Sequence, residues 1–108
     1  LRRLSRLTME QSHFIKHDSG KPKLSLIDPL FIWELGEILT FGANKYAPNN
    51  WQLCEDPSRY KDALLRHTMA YLAGELTDPE SGLPHTAAIA FNTMALRWFE
   101  RNQQHKRT

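Results

Sequence analysis

The first half of the chain contains one long apolar stretch of helical period. From Leu30 onward the apolar residues recur every three or four positions, as they do on the buried face of an amphipathic helix. Asp28 and Pro29 stand directly before this stretch, and an Asp N-cap followed by Pro at the first helical position is typical of a helix start. The pattern predicts a helix that begins at Pro29 and weakens or ends near Gly42, before a turn-rich loop, NKYAPNNW.

The second half repeats this arrangement twice. Asp56 and Pro57 open another stretch of helical period, which predicts a second helix that continues to about Leu76. The segment TDPESGLP breaks that helix, and a third is predicted to begin near Pro84 and to run through HTAAIAFNTMALRWFERN. Because no strand-like alternation extends beyond a few residues, the predicted fold class is all-α.

Three helices in a single domain of 108 residues form a thin bundle with a small core. We therefore expect a helical bundle that homo-oligomerisation completes, as a homodimer or a homotetramer. Along the chain we expect an N-terminal arm at residues 1–20, the helical domain at 21–102 and a C-terminal tail at 103–108.

Composition and charge exclude several classes of protein. With 41% hydrophobic and 24% charged residues the chain has the composition of an ordinary globular protein, and it has no apolar run long enough to cross a membrane. Cys54 is the single cysteine, which excludes an intramolecular disulfide and fits a reducing cytoplasm. The net charge of +2, without a basic stripe on any predicted helix, argues against a nucleic-acid partner.

Two pairs of carboxylates share the same spacing. Glu34 and Glu37 lie three positions apart on the first predicted helix, and Glu75 and Asp78 repeat this spacing at the end of the second, in line with His67. None of the four acids has a Lys or Arg four positions away, so surface ion pairs within a helix explain them poorly. Carboxylate pairs on facing helices can converge on a Mg²⁺ ion, although a solvated helix surface is the alternative for each pair alone.

Other polar residues are candidates for nucleotide binding. The loop after the first helix combines amides, an aromatic ring and a cation, which suits a base, a sugar and a phosphate; a plain structured loop is the alternative. The candidates there are Asn44, Lys45, Asn50 and Trp51, with Lys45 as the phosphate contact and Lys21 and Lys23 as further phosphate arms. Three more candidates are His67, His85 and Asn92. Alternatively, His67 serves only in packing, His85 is an ordinary residue of a first helical turn, and Asn92 makes a hydrogen bond in the core.

Four segments carry a resemblance to a known family. GKPKLSLIDP, GANKYAPNNW, RHTMAYLAGELTDPESGLPH and AFNTMAL, in this order, resemble the phage-type dATP/dGTP diphosphohydrolases, which include the MazZ-type enzymes. These belong to the MazG-like all-α NTP pyrophosphohydrolases, and the resemblance covers about residues 18 to 100. In that superfamily an E-x-x-E motif on one helix and a later E-x-x-D motif bind Mg²⁺. The matching residues here are Glu34, Glu37, Glu75 and Asp78.

The resemblance implies a Mg²⁺-dependent enzyme in the host cytoplasm that hydrolyses a purine dNTP, dGTP or dATP, to dNMP and pyrophosphate during phage nucleotide-pool remodelling. It implies two or three Mg²⁺ ions per site, which Mn²⁺ can replace, a catalytic base at Glu34 or Glu37, and a dimeric or tetrameric assembly. Two departures stand out. The gap from Glu37 to Glu75 is long, and Ala87 and Ala88 replace a second histidine that many relatives have after the position of His85.

Two rival classes remain. A non-catalytic helical module that oligomerises or binds a partner through its apolar faces would leave the acids scattered on its surface. A phosphohydrolase of the HD type requires a His-Asp dipeptide on a helix, and the sequence has only His17-Asp18, in a loop-like stretch.

Overall fold

The computed structural model describes the backbone of residues 13–107 and the side chains of residues 13–103. Within this range the α-helices are α1 (Pro29–Lys45), α2 (Ser58–Leu72) and α3 (His85–Arg107), with short 3-10 helices at Leu24–Leu26 and Asn50–Leu53. The prediction of an all-α chain with three substantial helices is confirmed. Of the predicted N-terminal arm, residues 1–12 lie outside the described part, and α3 continues into the predicted tail. Across the described residues, no helix combines the length and apolar character that a bilayer requires.

Helix α1 begins where the sequence predicts. The Asp28 carboxylate accepts a hydrogen bond from the Leu30 N–H at 3.1 Å, and Pro29 occupies the first turn. The predicted end near Gly42 is wrong, because the helix continues to Lys45. A glycine inside a helix costs only about 1 kcal/mol relative to alanine, and a cation in the last turn is favourable beside the helix dipole.

Helix α2 begins at Ser58, one residue after its predicted start at Pro57, and ends early. The Asp56 carboxylate accepts hydrogen bonds from the Ser58 hydroxyl at 2.7 Å and backbone N–H at 3.1 Å, and these bonds lower the pKa of Asp56. The predicted end at Leu76 is wrong, since α2 stops at Leu72. Two residues later Gly74 has a φ of +101°, a left-handed conformation that ends a helix and that glycine adopts without strain.

The early end of α2 moves the second carboxylate pair off the helix. Glu75 and Asp78 lie in the loop of residues 73–84, so the predicted helical stripe from His67 to Asp78 is wrong. Asp78 organises this loop: its carboxylate accepts hydrogen bonds from the Glu80 N–H and the Ser81 hydroxyl, and its own N–H donates to the Leu83 carbonyl at 2.9 Å. An isolated antiparallel bridge between residues 77 and 84 then leads the chain into α3.

Helix α3 is the centre of the bundle. It packs against both α1 and α2, whereas those two helices make few contacts with each other. Its buried apolar residues are Ala87, Ala88 and Ala95, whose small side chains allow neighbouring helices to approach closely. Farther along, Trp98 meets Trp51 edge-on, with ring centroids 5.3 Å apart. The rings that complete this aromatic cluster are Tyr60, Phe91 and Phe99.

Large apolar side chains outside this core remain exposed. Leu30 and Trp33 on α1 are both 71% exposed, and Leu65, Met69 and Leu72 form a similar apolar line on α2. Large exposed apolar side chains grouped along a helix are typical of a site of contact with another surface. The homo-oligomer stays a prediction.

Replacing Asp28 tests the start of α1. Asp28→Ala removes the acceptor for the Leu30 N–H, so we expect the free energy of unfolding to fall by about 0.5–2 kcal/mol. Urea denaturation followed by circular dichroism measures this change. Asp28→Asn keeps an oxygen acceptor and should stay close to the parent protein; an equal loss in both variants would contradict the capping role.

Candidate functional site

A cavity of about 800 Å³ lies between the C-terminal part of α1, the exposed face of α2, the middle of α3 and the loop after α2. It is open to solvent. Its volume falls within the range of about 300–1,000 Å³ that is usual for sites of small molecules and cofactors. The cavity is therefore large enough for a nucleotide.

One wall of the cavity is apolar and aromatic. Ile38 and Phe41 come from α1, Tyr60 from α2, and Ala88 and Phe91 from α3. The Tyr60 and Phe91 rings meet edge to face with centroids 6.1 Å apart, so this wall is firmly packed. It offers a surface on which a flat, apolar group can rest.

Cationic side chains line another part of the cavity. Lys45 donates a hydrogen bond to the Glu80 carboxylate at 2.8 Å, which raises the pKa of the lysine and joins α1 to the loop of residues 73–84. Arg59 and Arg66 lie two turns apart on α2, and neither forms an ion pair within the part of the chain whose side chains are described. Guanidinium groups match phosphate oxygens with two parallel hydrogen bonds.

Sequence reasoning missed both arginines as site residues. Arg59, Ala63 and Arg66 follow one another at intervals of four and three, so they share one face of α2. A search for cations directly beside His67 and two turns earlier on the second helix would have found them.

A chain of hydrogen bonds links the loop after α2 to the cavity. The Glu75 Oε1 atom lies 2.7 Å from His85 Nε2, and His85 Nδ1 lies 2.8 Å from His67 Nδ1. Because a carboxylate only accepts hydrogen bonds, His85 Nε2 carries a proton. The contact between the two Nδ1 atoms holds one proton, so the Nδ1 atoms of His67 and His85 cannot both be protonated. The chain therefore connects Glu75, through the buried His85, to His67 on the cavity wall.

The surroundings of His67 hold it in its neutral form. Burial is the main cause that lowers the pKa of His67, and the charge of Arg66 and the neighbouring His85 lower it further. The carboxylates of Asp78 and Glu80 act in the opposite direction and do not overcome burial. At neutral pH His67 is thus an uncharged imidazole at the cavity wall, able to donate or accept one hydrogen bond.

Asn92 is buried on α3 and lines the cavity. Its Nδ2 donates to the Ala88 carbonyl at 2.8 Å, so the local hydrogen bond that the sequence offered as the alternative is present. Asn50 also lines the cavity, whereas Trp51 lies in the aromatic cluster and lines a second cavity of about 390 Å³ beside it. Asn44 is exposed in the last turn of α1 and lines neither cavity.

The structure distributes the four predicted metal ligands over separate places. Asp78 lines the cavity, and Glu75 reaches it only through its bond to His85. Glu34 and Glu37 do not line the cavity, although Glu34 lies one turn before Ile38 on the same face of α1. Among the described residues, no three His, Cys, Asp or Glu side chains come together in a geometry that could hold one ion. The metal site stays a prediction.

The remaining predicted contacts lie before α1. Lys21 and Lys23 are exposed and do not line the cavity, so their role as phosphate arms stays a prediction. The dipeptide His17-Asp18 lies in a segment without helical structure, as expected, and does not provide the helical motif of an HD-type phosphohydrolase.

The pH dependence of stability tests the neutral state of His67. Its pKa is lowered from 6.5 on folding, so the contribution of the neutral ring is fully present above pH 6.5 and is lost as pH falls toward the folded-state pKa. We expect the free energy of unfolding of the parent protein to fall on acidification relative to that of His67→Asn. Asn keeps a polar atom near the Nδ1 position.

Urea titrations at several pH values on either side of 6.5 measure this difference. A His13→Asn variant, altered at an exposed residue before α1, should follow the parent protein at every pH. Parallel curves for the parent protein and His67→Asn would contradict the neutral assignment.

Comparisons with known proteins place the chain in a family. Residues 12–108 match the family model described as dATP/dGTP diphosphohydrolase, N-terminal. The chain is 39% identical over 89 residues to a dATP/dGTP diphosphohydrolase of Salmonella phage PMBT28; the match covers 82% of this chain and 30% of that relative, so the chain spans about a third of the relative's length. No solved structure matches. The chain belongs to the family of dATP/dGTP diphosphohydrolase N-terminal domains.

Proposed function

We propose that this chain hydrolyses a purine deoxynucleoside triphosphate, dGTP or dATP, to the monophosphate and pyrophosphate. One observation carries the proposal: a single cavity of nucleotide size combines an apolar aromatic wall with cationic side chains. The phage relative's name, dATP/dGTP diphosphohydrolase, supports this substrate. The role in remodelling a phage nucleotide pool is part of the same proposal.

The two parts of the cavity suit the two ends of a nucleotide. The base rests against the wall formed by Tyr60 and Phe91, and the triphosphate extends toward Arg59 and Arg66. Lys45 exchanges its bond to the Glu80 carboxylate for a phosphate oxygen, because a triphosphate carries more negative charge than one carboxylate.

The proposal includes Mg²⁺, with Mn²⁺ as a substitute. Carboxylate oxygens are the donors that this hard cation prefers, and it commonly takes one or two of them together with water and substrate phosphate oxygens. The predicted ligands are the pairs Glu34–Glu37 and Glu75–Asp78. Each pair supplies one or two carboxylates, so the chemistry of the donors fits the ion, although no three such side chains converge among the described residues. When bound, the ion neutralises phosphate charge and favours ionisation of water.

Side chains of this protein supply the general base and the charge stabilisation that hydrolysis requires. A water molecule attacks the α-phosphorus in line, the bond from this phosphorus to the oxygen bridging to the β-phosphorus breaks, and pyrophosphate leaves. Glu34 or Glu37, which precede the cavity residue Ile38 on α1 without lining the cavity themselves, takes the proton of the attacking water as general base. Arg59 and Arg66 stabilise the negative charge that builds on the departing pyrophosphate.

The second candidate function is a non-catalytic module for oligomerisation or partner binding. The exposed apolar side chains of α2 (Leu65, Met69 and Leu72) favour it. It requires neither turnover nor a response to divalent ions, and the following assay separates the two functions.

A product assay tests the hydrolytic function. We expect Mg²⁺-dependent conversion of dGTP or dATP to dNMP and pyrophosphate, resolved by ion-exchange chromatography. Glu37→Gln and Glu75→Gln should each lower the rate by at least about 100-fold through loss of a general base or an ionic ligand. Gln at position 75 keeps an oxygen that can accept from His85, so its effect reports the charge.

Glu100→Gln is the matched control. Glu100 is exposed, pairs with Arg97 on α3 and does not line the cavity, so its replacement should leave the rate unchanged. Absence of turnover with all dNTPs and NTPs, together with a melting temperature that Mg²⁺ does not shift, would refute hydrolysis and favour the interaction module.

Arg66→Ala tests the phosphate end of the cavity. Loss of a charge-assisted hydrogen bond should weaken binding of inorganic tripolyphosphate by about 10- to 150-fold, measured by isothermal titration calorimetry. Arg97→Ala removes an arginine that lies outside the cavity and should bind like the parent protein. Equal affinities in both variants would place the triphosphate elsewhere.

A further inference from the structure

Asn92 presents an unpartnered oxygen to the cavity. The residue is only 3% exposed, and its Nδ2 donates to the Ala88 carbonyl. Among residues 13–103, whose side chains are described, no fully buried side-chain nitrogen or oxygen lacks a partner, and Asn92 Oδ1 accepts no hydrogen bond from these residues. The oxygen is therefore not fully buried, and since Asn92 lines the cavity, we infer that the oxygen is open to it.

The Asn92 Oδ1 atom can accept a hydrogen bond but cannot donate one. A backbone carbonyl accepts hydrogen bonds and never donates, so the NH₂ group of Asn92 must face Ala88 and the oxygen must face away from it. Rotating the amide by half a turn would bring two acceptors together. Asn92 consequently offers the cavity one buried acceptor, Oδ1, while one of the two N–H groups of Nδ2 is held by the Ala88 carbonyl.

The neighbours of Asn92 restrict what can occupy this place. Ala88 and Phe91 flank it on α3, and both belong to the apolar wall. Phosphate oxygens are acceptors that the Asn92 oxygen repels, so a group that donates a hydrogen bond is favoured over the triphosphate here. A group with flat apolar faces and an N–H on its edge satisfies both conditions, and a nucleobase is such a group.

We propose that Asn92 determines specificity for the base, its Oδ1 accepting a hydrogen bond from an N–H on the base's Watson–Crick edge. This inference rests on the proposed function in so far as it places a nucleotide in the cavity. Adenine presents its 6-amino group on that edge, and guanine presents N1–H and its 2-amino group. A site built to pair with an N–H discriminates strongly against an analogue without one, because the buried acceptor is then left unpaired.

Purine without substituents provides the probe. 2′-Deoxynebularine triphosphate has no N–H on its Watson–Crick edge but keeps the rings, sugar and phosphates of dATP. The α,β-imido analogues of dATP, dGTP and this nucleotide resist cleavage at the α-phosphorus, and their dissociation constants are measured by calorimetry with Mg²⁺ present. We expect the tighter of the dATP and dGTP analogues to bind about 5- to 150-fold more tightly than the deoxynebularine analogue.

Asn92→Leu should reduce this preference to less than about twofold, since it removes the acceptor and keeps a similar side-chain volume. The Ala88 carbonyl keeps its helical N–H partner in this variant. Asn102→Leu is the matched control: Asn102 makes the same bond to a carbonyl one turn earlier, that of Trp98 at 2.9 Å, but does not line the cavity. It should keep the full preference.

Binding of inorganic tripolyphosphate, which has no base, separates loss of the base contact from loss of the fold. Asn92→Leu should bind it like the parent protein. Equal affinity of the parent protein for all three analogues would overturn the inference whatever the variant does, as would a preference that survives in a folded Asn92→Leu.

The same measurements are independent of hydrolysis. Discrimination between the analogues without any turnover in the product assay would leave Asn92 as a base contact and refute the proposed reaction. Turnover without discrimination between the analogues would support the proposed reaction and refute the role of Asn92 as a base contact.

Discussion

The buried imidazole of His85 holds the candidate site together. Both of its ring nitrogens are hydrogen-bonded, one to the Glu75 carboxylate and one to His67, and its backbone N–H donates to the Leu76 carbonyl at 2.9 Å. A buried ring that lost its two partners would be strongly disfavoured, so the bonds to Glu75 and His67 stabilise its buried position. They join the end of α2, the loop after it and the first residue of α3, and they set the position of His67 on the cavity wall.

The polarity of the cavity follows from which helix supplies each wall. The middle of α3 contributes small and aromatic residues, such as Ala88 and Phe91, because this part of the helix also forms the core. The exposed face of α2 contributes Arg59 and Arg66, whose long side chains keep their charges in water. The proposed nucleoside triphosphate would place its flat base on the first wall and its phosphates near the second. The carboxylates of Glu55, Asp56, Asp78 and Glu80 line the same cavity.

Most of the large apolar side chains of the described residues lie on the surface and outside the core. The buried apolar residues of the described part are three alanines, while Leu30, Trp33 and Met69 remain exposed. The apolar face that predicts each helix is thus wider than the face that the neighbouring helices cover. Hydrophobic period identifies a helix reliably, but it does not say how many surfaces that helix contacts.

Local chemistry in the sequence was sufficient to determine the helices and their starts. Asp28 caps α1 as expected, and Asp56 bonds Ser58 at the start of α2, because such bonds depend on atoms within a few residues. The sequence did not predict the end of α2, because apolar residues of helical period continue beyond Leu72. The left-handed conformation of Gly74 and the loop that Asp78 organises end the helix there. The segments that carry the family's motifs were also sufficient to identify the family, as the match over residues 12–108 confirms.

Tertiary structure decided which of the polar residues share one site. Asp78, His67 and Asn92 line one cavity because the loop after α2 folds back toward α3, and no spacing rule encodes that return. The two arginines of α2 join them for the same reason, while Trp51 lies in the aromatic cluster because its ring packs against Trp98. The pairing of Glu75 with His85 likewise required the loop's path, since residues ten positions apart meet only when the chain between them turns. Sequence determines contacts that lie within one helical turn, whereas contacts between elements depend on how those elements pack.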